Sequence, residues 1–541
     1  MLSPKLSSNM LLRKKRHSGR VSRLRHNKVP TRHRALAVPE LLVFCFEGLQ
    51  TRDLVTVASV CKQWSIYAID TLWRTARMPA EFILGMLSWL WFDHFECLYY
   101  IAVDEDNEDE GALMSADLSE WTLFIHHAHK VHHLSLDGVL MDDVVDRLRS
   151  LLDVHGETIF PNLATLHLSM EFMDDQPVTT LALLLGPSTS EVNVSGHSSD
   201  ADIGGALLTV GAVAQGLQRL TLGERSEYAY NDGAFTSDFA VFAALRFANL
   251  CDISLAGWRT LAGCELLVEV ILTQSDDIYD AEVEVADVDR VVVFPSLQRL
   301  AVSASYLFTA LLVESNIPAL RYLCACKITD GEEETLRYLA DRSFFLKEME
   351  LVGMFEILTG QVIQHLYKLQ CLQSIRLCCD VQFYDMTDQH IHLLAVSLPQ
   401  LHTLAVIPLV RGPEQPVKVT KKSLITLIHY CKYLKDLELM FNFADFDYRL
   451  PRPSSFTSHT LVRLGLCEPL LPVRTESLAV FLATCCPNVP ELEICWQPGK
   501  RVEDLKAGFK RRYPLAWYLR NKNLSDNAAV NRITRGNSIH A

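Results

Sequence analysis

The chain has 541 residues, 49% of them hydrophobic and 21% charged, with a formal net charge of −14 and a mean hydropathy of +0.12. That balance excludes a disordered, collagen-like or low-complexity protein, and the length suits several domains or a repeat array. The longest apolar stretch, Phe82 to Phe92, is half of the ~20 residues a spanning helix needs, so no membrane segment is expected.

Charge is spread unevenly. Residues 1–36 hold eleven Lys or Arg and no acid, which leaves 40 basic against 65 acidic residues in the remainder. A body that acidic is a poor match to phosphate backbones, and no specific nucleic acid is expected as a partner. The arm itself, with Lys14-Lys15-Arg16, fits a solvated tail, a nuclear import signal or a mitochondrial transit peptide. Fifteen cysteines, an odd number without zinc-type CxxC spacing, sit mostly in apolar runs such as those around Cys324, Cys326, Cys378 and Cys379. Buried thiols in a reducing compartment, cytoplasm and/or nucleus, fit this better than a disulfide framework.

The first ordered block starts at Val38. Pro39-Glu40 opens the apolar run Leu41-Leu42-Val43-Phe44-Cys45-Phe46, and Gly48 closes it. Pro in the first turn and Gly at the end punctuate a helix. A short segment follows Thr51-Arg52-Asp53, and Val57 to Tyr67 continues in a helical pattern. A helix apolar nearly all round cannot bury itself within about forty residues; it needs the rest of the chain or a partner.

Between 104 and 110, six of seven residues are acidic, as in a solvated loop. Asp117 with Glu120 predicts a capping box, and Trp121, Phe124, Ala128 and Val131 recur at helical spacing before Leu134 and Leu136 at strand spacing. The chain then repeats itself. A Pro-x-(Leu/Val)-x-x-Leu-x-apolar phrase occurs at Pro161, Pro295, Pro318, Pro399 and Pro487. Weaker copies centre on Leu134, Val192, Leu220, Ile253, Met349, Ile375, Leu437 and Leu464. Most spacings lie near the ~20–29 residues of a leucine-rich repeat. The long interval from Ile253 to Leu300 predicts an insertion at Asp276 to Asp289. Alternation about each centre predicts a short strand with one inward face, and units that small must stack as a solenoid.

Motifs for catalysis are missing: no phosphate loop, nucleophile elbow, zinc helix or EF-hand loop. His126, His127, His129, His132 and His133 read as solvated residues around an apolar stripe, with a metal site as the lesser alternative. No cofactor and no catalytic residue are expected.

The run Val38-Pro39-Glu40-Leu41-Leu42, Asp53-Leu54, Val60-Cys61-Lys62-Gln63-Trp64 and Leu72-Trp73-Arg74 resembles an F-box in order and spacing. Val38 and Cys45 stand where Leu and Ile are usual. The repeats resemble the cysteine-containing leucine-rich repeats of F-box receptors, through Cys431-x-x-Leu434-x-x-Leu437-x-Leu439 and Cys486-x-x-Val489-x-x-Leu492-x-Ile494. The expected fold class is therefore α/β, a helical F-box module followed by a solenoid of short parallel strands and helices. The expected divisions are a basic arm (1–36), F-box (37–76), linker helices and acidic loop (77–118), solenoid (119–500), and C-terminal cap and tail (501–541).

The resemblance implies a non-catalytic substrate-recognition subunit of an SCF ubiquitin ligase, bound to a Skp-type adaptor and through it to a cullin. A repeat-based interaction scaffold outside any ligase is the alternative. Pro39, Glu40, Leu41, Leu42, Leu54, Val60, Cys61 and Trp64 are the expected adaptor contacts, with Trp64 equally placed as module core. A protein substrate is expected on the concave face of the solenoid. Residues flanking the repeat centres nominate Arg219, Arg299, Glu348, Glu350, Arg376, Asp436, Glu438, Arg463, Glu491 and Glu493. With Asp137, Glu191 and Asp252 nearby, that face leans negative and is expected to take a Lys- or Arg-rich segment.

Overall fold

A computed structural model describes residues 38–75 and 78–79 and, in segments, much of 125–495. The basic arm, the acidic stretch 104–110, Trp121 and Phe124, the Asp276–Asp289 insertion and nearly all of the C-terminal tail lie outside the described residues. The chain divides into two compact units, Met1–Ala76 and Arg77–Ala541.

The described residues of the first unit form three helices: α1 (Pro39–Glu47), α2 (Thr51–Ala58) and α3 (Lys62–Thr75). Pro39 begins α1 behind an extended Val38, and Gly48 caps its end, as its sequence signals predict. The helical pattern from Val57 to Tyr67 is not continuous. The chain turns at Ser59-Val60-Cys61, where Ser59 Oγ donates to Thr56 O at 2.6 Å and competes for the last carbonyls of α2. Leu42 and Phe46 on α1, Leu54 on α2 and Ala68 on α3 form the core, with Leu49, Val57, Trp64, Tyr67 and Leu72 packed against it. Leu42 and Phe46 share one helix face through their four-residue spacing, and Leu49 joins them from just beyond the cap.

The second unit is built on one parallel sheet whose fifteen strands follow in sequence order. They are β1 (Met78–Pro79), β2 (His133–Leu136), β3 (Thr165–Ser169), β4 (Glu191–Ser195), β5 (Arg219–Leu222), β6 (Phe247–Cys251), β7 (Glu269–Thr273) and β8 (Arg299–Ser303). After them come β9 (Tyr322–Ile328), β10 (Glu348–Gly353), β11 (Ser374–Cys379), β12 (Thr403–Pro408), β13 (Asp436–Asn442), β14 (Arg463–Leu470) and β15 (Leu492–Cys495). Helices return the chain between strands: α4 (Asp200–Val213), α5 (Leu255–Leu261), α6 (Leu307–Val313), α7 (Glu332–Arg342), α8 (Gly360–Leu366), α9 (Asp388–Ser397), α10 (Lys421–Tyr430) and α11 (Thr475–Cys485). One short strand per repeat in an unbroken parallel ladder is the architecture of a leucine-rich-repeat solenoid.

The register aligns the repeat centres one above another: Leu134, Leu166, Val192, Leu220, Ala248, Val270, Leu300, Leu323, Met349, Ile375, Leu404, Leu437, Leu464 and Leu492. Every one is essentially buried. Three residues earlier each repeat places a second buried apolar side chain, such as Leu217, Leu297 or Leu401. Thr189 takes that place once, and its Oγ1 accepts the Gly186 N–H at 3.2 Å, so the buried hydroxyl is satisfied. Each fully buried Leu contributes about 1.5–3 kcal/mol.

Two expectations are corrected here. Ile253 is not a repeat centre, because Ala248 pairs with Leu220 and Val270 in the ladder. A full repeat centred on Val270 occupies part of the interval assigned to an insertion. Successive centres then lie 22 to 33 residues apart with no outlier. The sheet also begins upstream of residue 119, since Met78 pairs with Leu134.

Polar bonds tie the repeats together on the helical side, some between neighbours and some across an intervening repeat. The Asp388 carboxylate accepts from the Thr420 N–H (2.7 Å), Thr420 Oγ1 (2.7 Å) and Ser423 Oγ (2.6 Å). The fully buried Trp258 donates through Nε1 to Ser315 Oγ at 2.8 Å, and Ser315 Oγ donates in turn to Leu311 O. Arg259 forks onto Glu314 at 2.9 and 3.0 Å. Cys264 donates to Phe239 O at 3.2 Å and Cys431 contacts Ala395 O and Leu398 O. Burial pushes the Cys431 and Cys485 thiols up to about 12 and also raises Cys486 well above the ordinary thiol range.

Candidate functional site

Besides its core, the helical unit carries large apolar side chains that stay exposed on α1, α2, α3 and the turn between the last two. Phe44 is 76% exposed, Ile66 67%, Val60 60%, Val55 58% and Leu41 48%. Val38 and Ile69 add to them. Seven large apolar side chains left in water by a unit of about forty residues are costly unless a partner covers them.

The expected contacts divide between the surface and the interior. Pro39, Glu40, Leu41 and Val60 are exposed, and Cys61 is half-buried. Leu42 and Leu54, only 2% and 1% exposed, are core residues and present almost nothing to a partner. Trp64 belongs with the core: its ring meets Phe46 edge-on at 5.9 Å, and its backbone N–H donates to Cys61 Sγ at 3.5 Å. Phe44, Val55 and Ile66 were not among the expected contacts. Helical phase would have found Phe44, since it lies three residues after Leu41 and off the Leu42–Phe46 face. Arg74 closes the unit onto Glu47 at 3.4 Å.

Residues 39–78 match the F-box-like family. They form an F-box-like domain. No curated protein matches the chain. Among solved structures it is similar to a leucine-rich repeat protein of Leptospira interrogans, at 14% identity over 71% of this chain and 90% of the other, with a TM-score of 0.35. It is also similar to a Bacteroides fragilis protein, at 12% identity over 51% and 68%, with a TM-score of 0.27.

Beyond the F-box-like domain, the outward face of the sheet carries the other candidate residues. One position before each centre, the ladder reads Glu191, Arg219, Phe247, Glu269, Arg299, Tyr322, Glu348, Ser374, Thr403, Asp436, Arg463. One position after, Glu350 lies beside Arg376 and Glu438 beside Gly465 and then Glu493. From β4 to β14 these two rows put acids on every third strand (β4, β7, β10, β13). The next strand in each case (β5, β8, β11, β14) carries an arginine.

The face is accordingly far less negative than a tally of its acids predicts. Glu191 lies 3.8 Å from Arg219 and Glu269 3.3 Å from Arg299. Arg463 sits 2.7 Å from Glu493 and 3.7 Å from Glu438, and its hydrogen bond to Glu493 raises its pKa further. Glu438 is buried beneath this pair, with its Cγ over Gly465, where a Cβ would meet it at 2.7 Å. Glu348 and Glu350 form no ion pair among the described residues, and Asp436, Glu438 and Glu493 share Arg463, so the acidic lean is concentrated at β10 and at β13–β15. Asp137, Asp252 and Glu491 lie outside the described residues.

Two of the arginines are held differently from the rest. Arg219 stacks over Phe247 at 4.1 Å and Arg299 over Tyr322 at 4.7 Å. Burial, helped by Cys324, lifts the Tyr322 phenol to about 12, so the ring under Arg299 is neutral at physiological pH. Among the described residues no three of His, Cys, Asp and Glu are grouped to hold a metal ion. No described helix is long and apolar enough to cross a membrane.

Proposed function

We propose that the chain is a substrate-recognition subunit of an SCF cullin-RING ubiquitin ligase, its F-box-like domain docking on the Skp-type adaptor and its repeat sheet holding a protein substrate. The observation that carries the reading is the F-box-like domain's packed core together with the large apolar side chains that the domain leaves exposed. A helical unit of this size gains little from leaving Phe44, Val55, Val60 and Ile66 in water, and an apolar anchor for a partner explains them. Chemistry would belong to other subunits; this chain contributes binding. We propose that it acts in the cytoplasm or nucleus, a reading supported by twelve described cysteines that are free thiols.

The test is co-purification of the Skp-type adaptor with the wild-type chain and with a Phe44→Asp, Val60→Asp variant, whose fold is checked by circular dichroism. Adaptor recovered by wild type and lost by a folded variant is the expected result. No adaptor with wild type would remove the ligase reading and leave an interaction scaffold.

A further inference from the structure

One position earlier again in each repeat, immediately before the strands begin, the chain carries a different charge pattern. From β3 to β14 this row contains no acid, and it contains Arg246, Arg321, Lys347 and Lys435. The backbones there are joined directly: Arg321 O accepts both the Lys347 and Glu348 N–H groups at 2.8 and 3.0 Å, and Arg246 O accepts from Val268 and Glu269. Arg246, Arg321 and Lys347 are exposed and form no ion pair among the described residues.

Arg219 and Arg299 stand one residue further along, about half exposed. Each is pinned by a ring below and a carboxylate to one side, yet neither donates a hydrogen bond to the protein among the described residues. Arg259 and Arg463 are the contrast, with their donors taken by Glu314 and Glu493. An arginine oriented by stacking and by a carboxylate beside Nε, with its terminal nitrogens open, is pre-organised to receive a carboxylate.

From these positions we infer that the leading edge of strands β5–β10, through Arg219, Arg246, Arg299, Arg321 and Lys347, is a docking strip for an extended acidic peptide segment of a partner protein. The inference deepens the receptor reading by naming the partner's chemistry, and takes from it only that the sheet receives a protein. Strands stand about 4.8 Å apart, so five intervals span about 24 Å, the length of about seven extended residues. Glu191, Glu269 and Glu348 border the strip in the next row. A continuous phosphate backbone would run against them, whereas a peptide can place its carboxylates between them.

The test uses the full-length chain with the Lys and Arg of residues 1–36 replaced by Gln, so that the arm does not capture the probe. Fluorescence anisotropy follows labelled octa-glutamate, octa-lysine and a twelve-nucleotide single-stranded oligonucleotide. Octa-glutamate should bind and weaken with salt. Arg299→Glu, Arg321→Glu, Lys347→Glu together should weaken it at least ten-fold, and Lys422→Glu on α10 should change it less than two-fold. Absence of octa-glutamate binding, a preference for octa-lysine or the oligonucleotide, or binding unchanged in a triple variant with native circular dichroism would overturn the inference. Adaptor capture is measured alongside. An adaptor that is not captured while octa-glutamate binds removes the ligase reading and leaves this one standing.

Discussion

Replacing Phe44 and Leu42 in turn by alanine separates binding from folding within the F-box-like domain. The two residues are half a helical turn apart, and one is 76% exposed while the other is 2% exposed. A phenylalanine covers roughly 150–250 Å² when buried, so about 150 Å² of Phe44 remains for a partner to cover. At about 25 cal/mol/Å² that is worth 3–4 kcal/mol at most, and ordering costs at an interface reduce it. Phe44→Ala should therefore weaken adaptor binding by about 1.5–2.5 kcal/mol, or roughly 10–70-fold in Kd, with stability within about 0.5 kcal/mol of wild type. Leu42→Ala should instead cost about 2–5 kcal/mol of stability. Isothermal titration calorimetry and urea unfolding give the two numbers for each variant. Phe44→Ala that leaves Kd within two-fold, or that destabilises as much as Leu42→Ala, refutes the division of α1 into a core face and a docking face.

Asp388→Ala should cost about 2–4 kcal/mol, because it strips one carboxylate from three donors, with the loss of hydrogen-exchange protection concentrated in α9 and α10; a cost under 0.5 kcal/mol would contradict the role given to that carboxylate. Trp258→Phe loses the bond to Ser315 and part of the ring's packing, and an expected cost of about 2–3 kcal/mol is readable in urea unfolding. Site-resolved alkylation at pH 8 should label the exposed Cys45 and Cys371 in the native chain. Cys431, Cys485 and Cys486 should react only after denaturation, since their raised pKa values keep them protonated and burial keeps them covered. The same thiols set the sign of a pH effect: above about pH 9 the unfolded chain loses thiol protons that the folded chain retains, so stability should fall from pH 9 toward 12.

The α1 boundaries and most repeat centres were legible because Pro, Gly and the Leu spacing act locally, through dihedral limits and the alternation of a strand. The repeat at Val270 was missed for a related reason. The phrase sought opened with proline, and Glu265 stands at that position instead, in a turn just after Cys264, which donates to Phe239 O. Cys264-x-x-Leu267-x-x-Val270-x-Leu272 nevertheless has the same form as the copies at Cys431 and Cys486, so the signal was present. Ala248 is a small centre between Phe247 and Asn249 and yields no hydrophobic peak, which displaced the reading to Ile253. The division of α1 needed only helical phase. The neutralisation of Glu191, Glu269 and Glu493 could not be read from single repeats, because each ion pair joins side chains about 28–30 residues apart that only the ladder register brings together.

The alternation of acid and arginine every third strand changes what counts as the unit of this array. Glu191, Glu269, Glu348 and Asp436 recur at intervals of 78, 79 and 88 residues, while the apolar centres beneath them recur strand by strand. The core thus keeps a period of one repeat and the surface a period of three. A chain lengthened in blocks of three would carry both periods, with the core copied unchanged and the outer rows free to diverge. Adding or deleting one repeat would preserve the packing of the sheet and break the pairing on its face; adding or deleting three would preserve both.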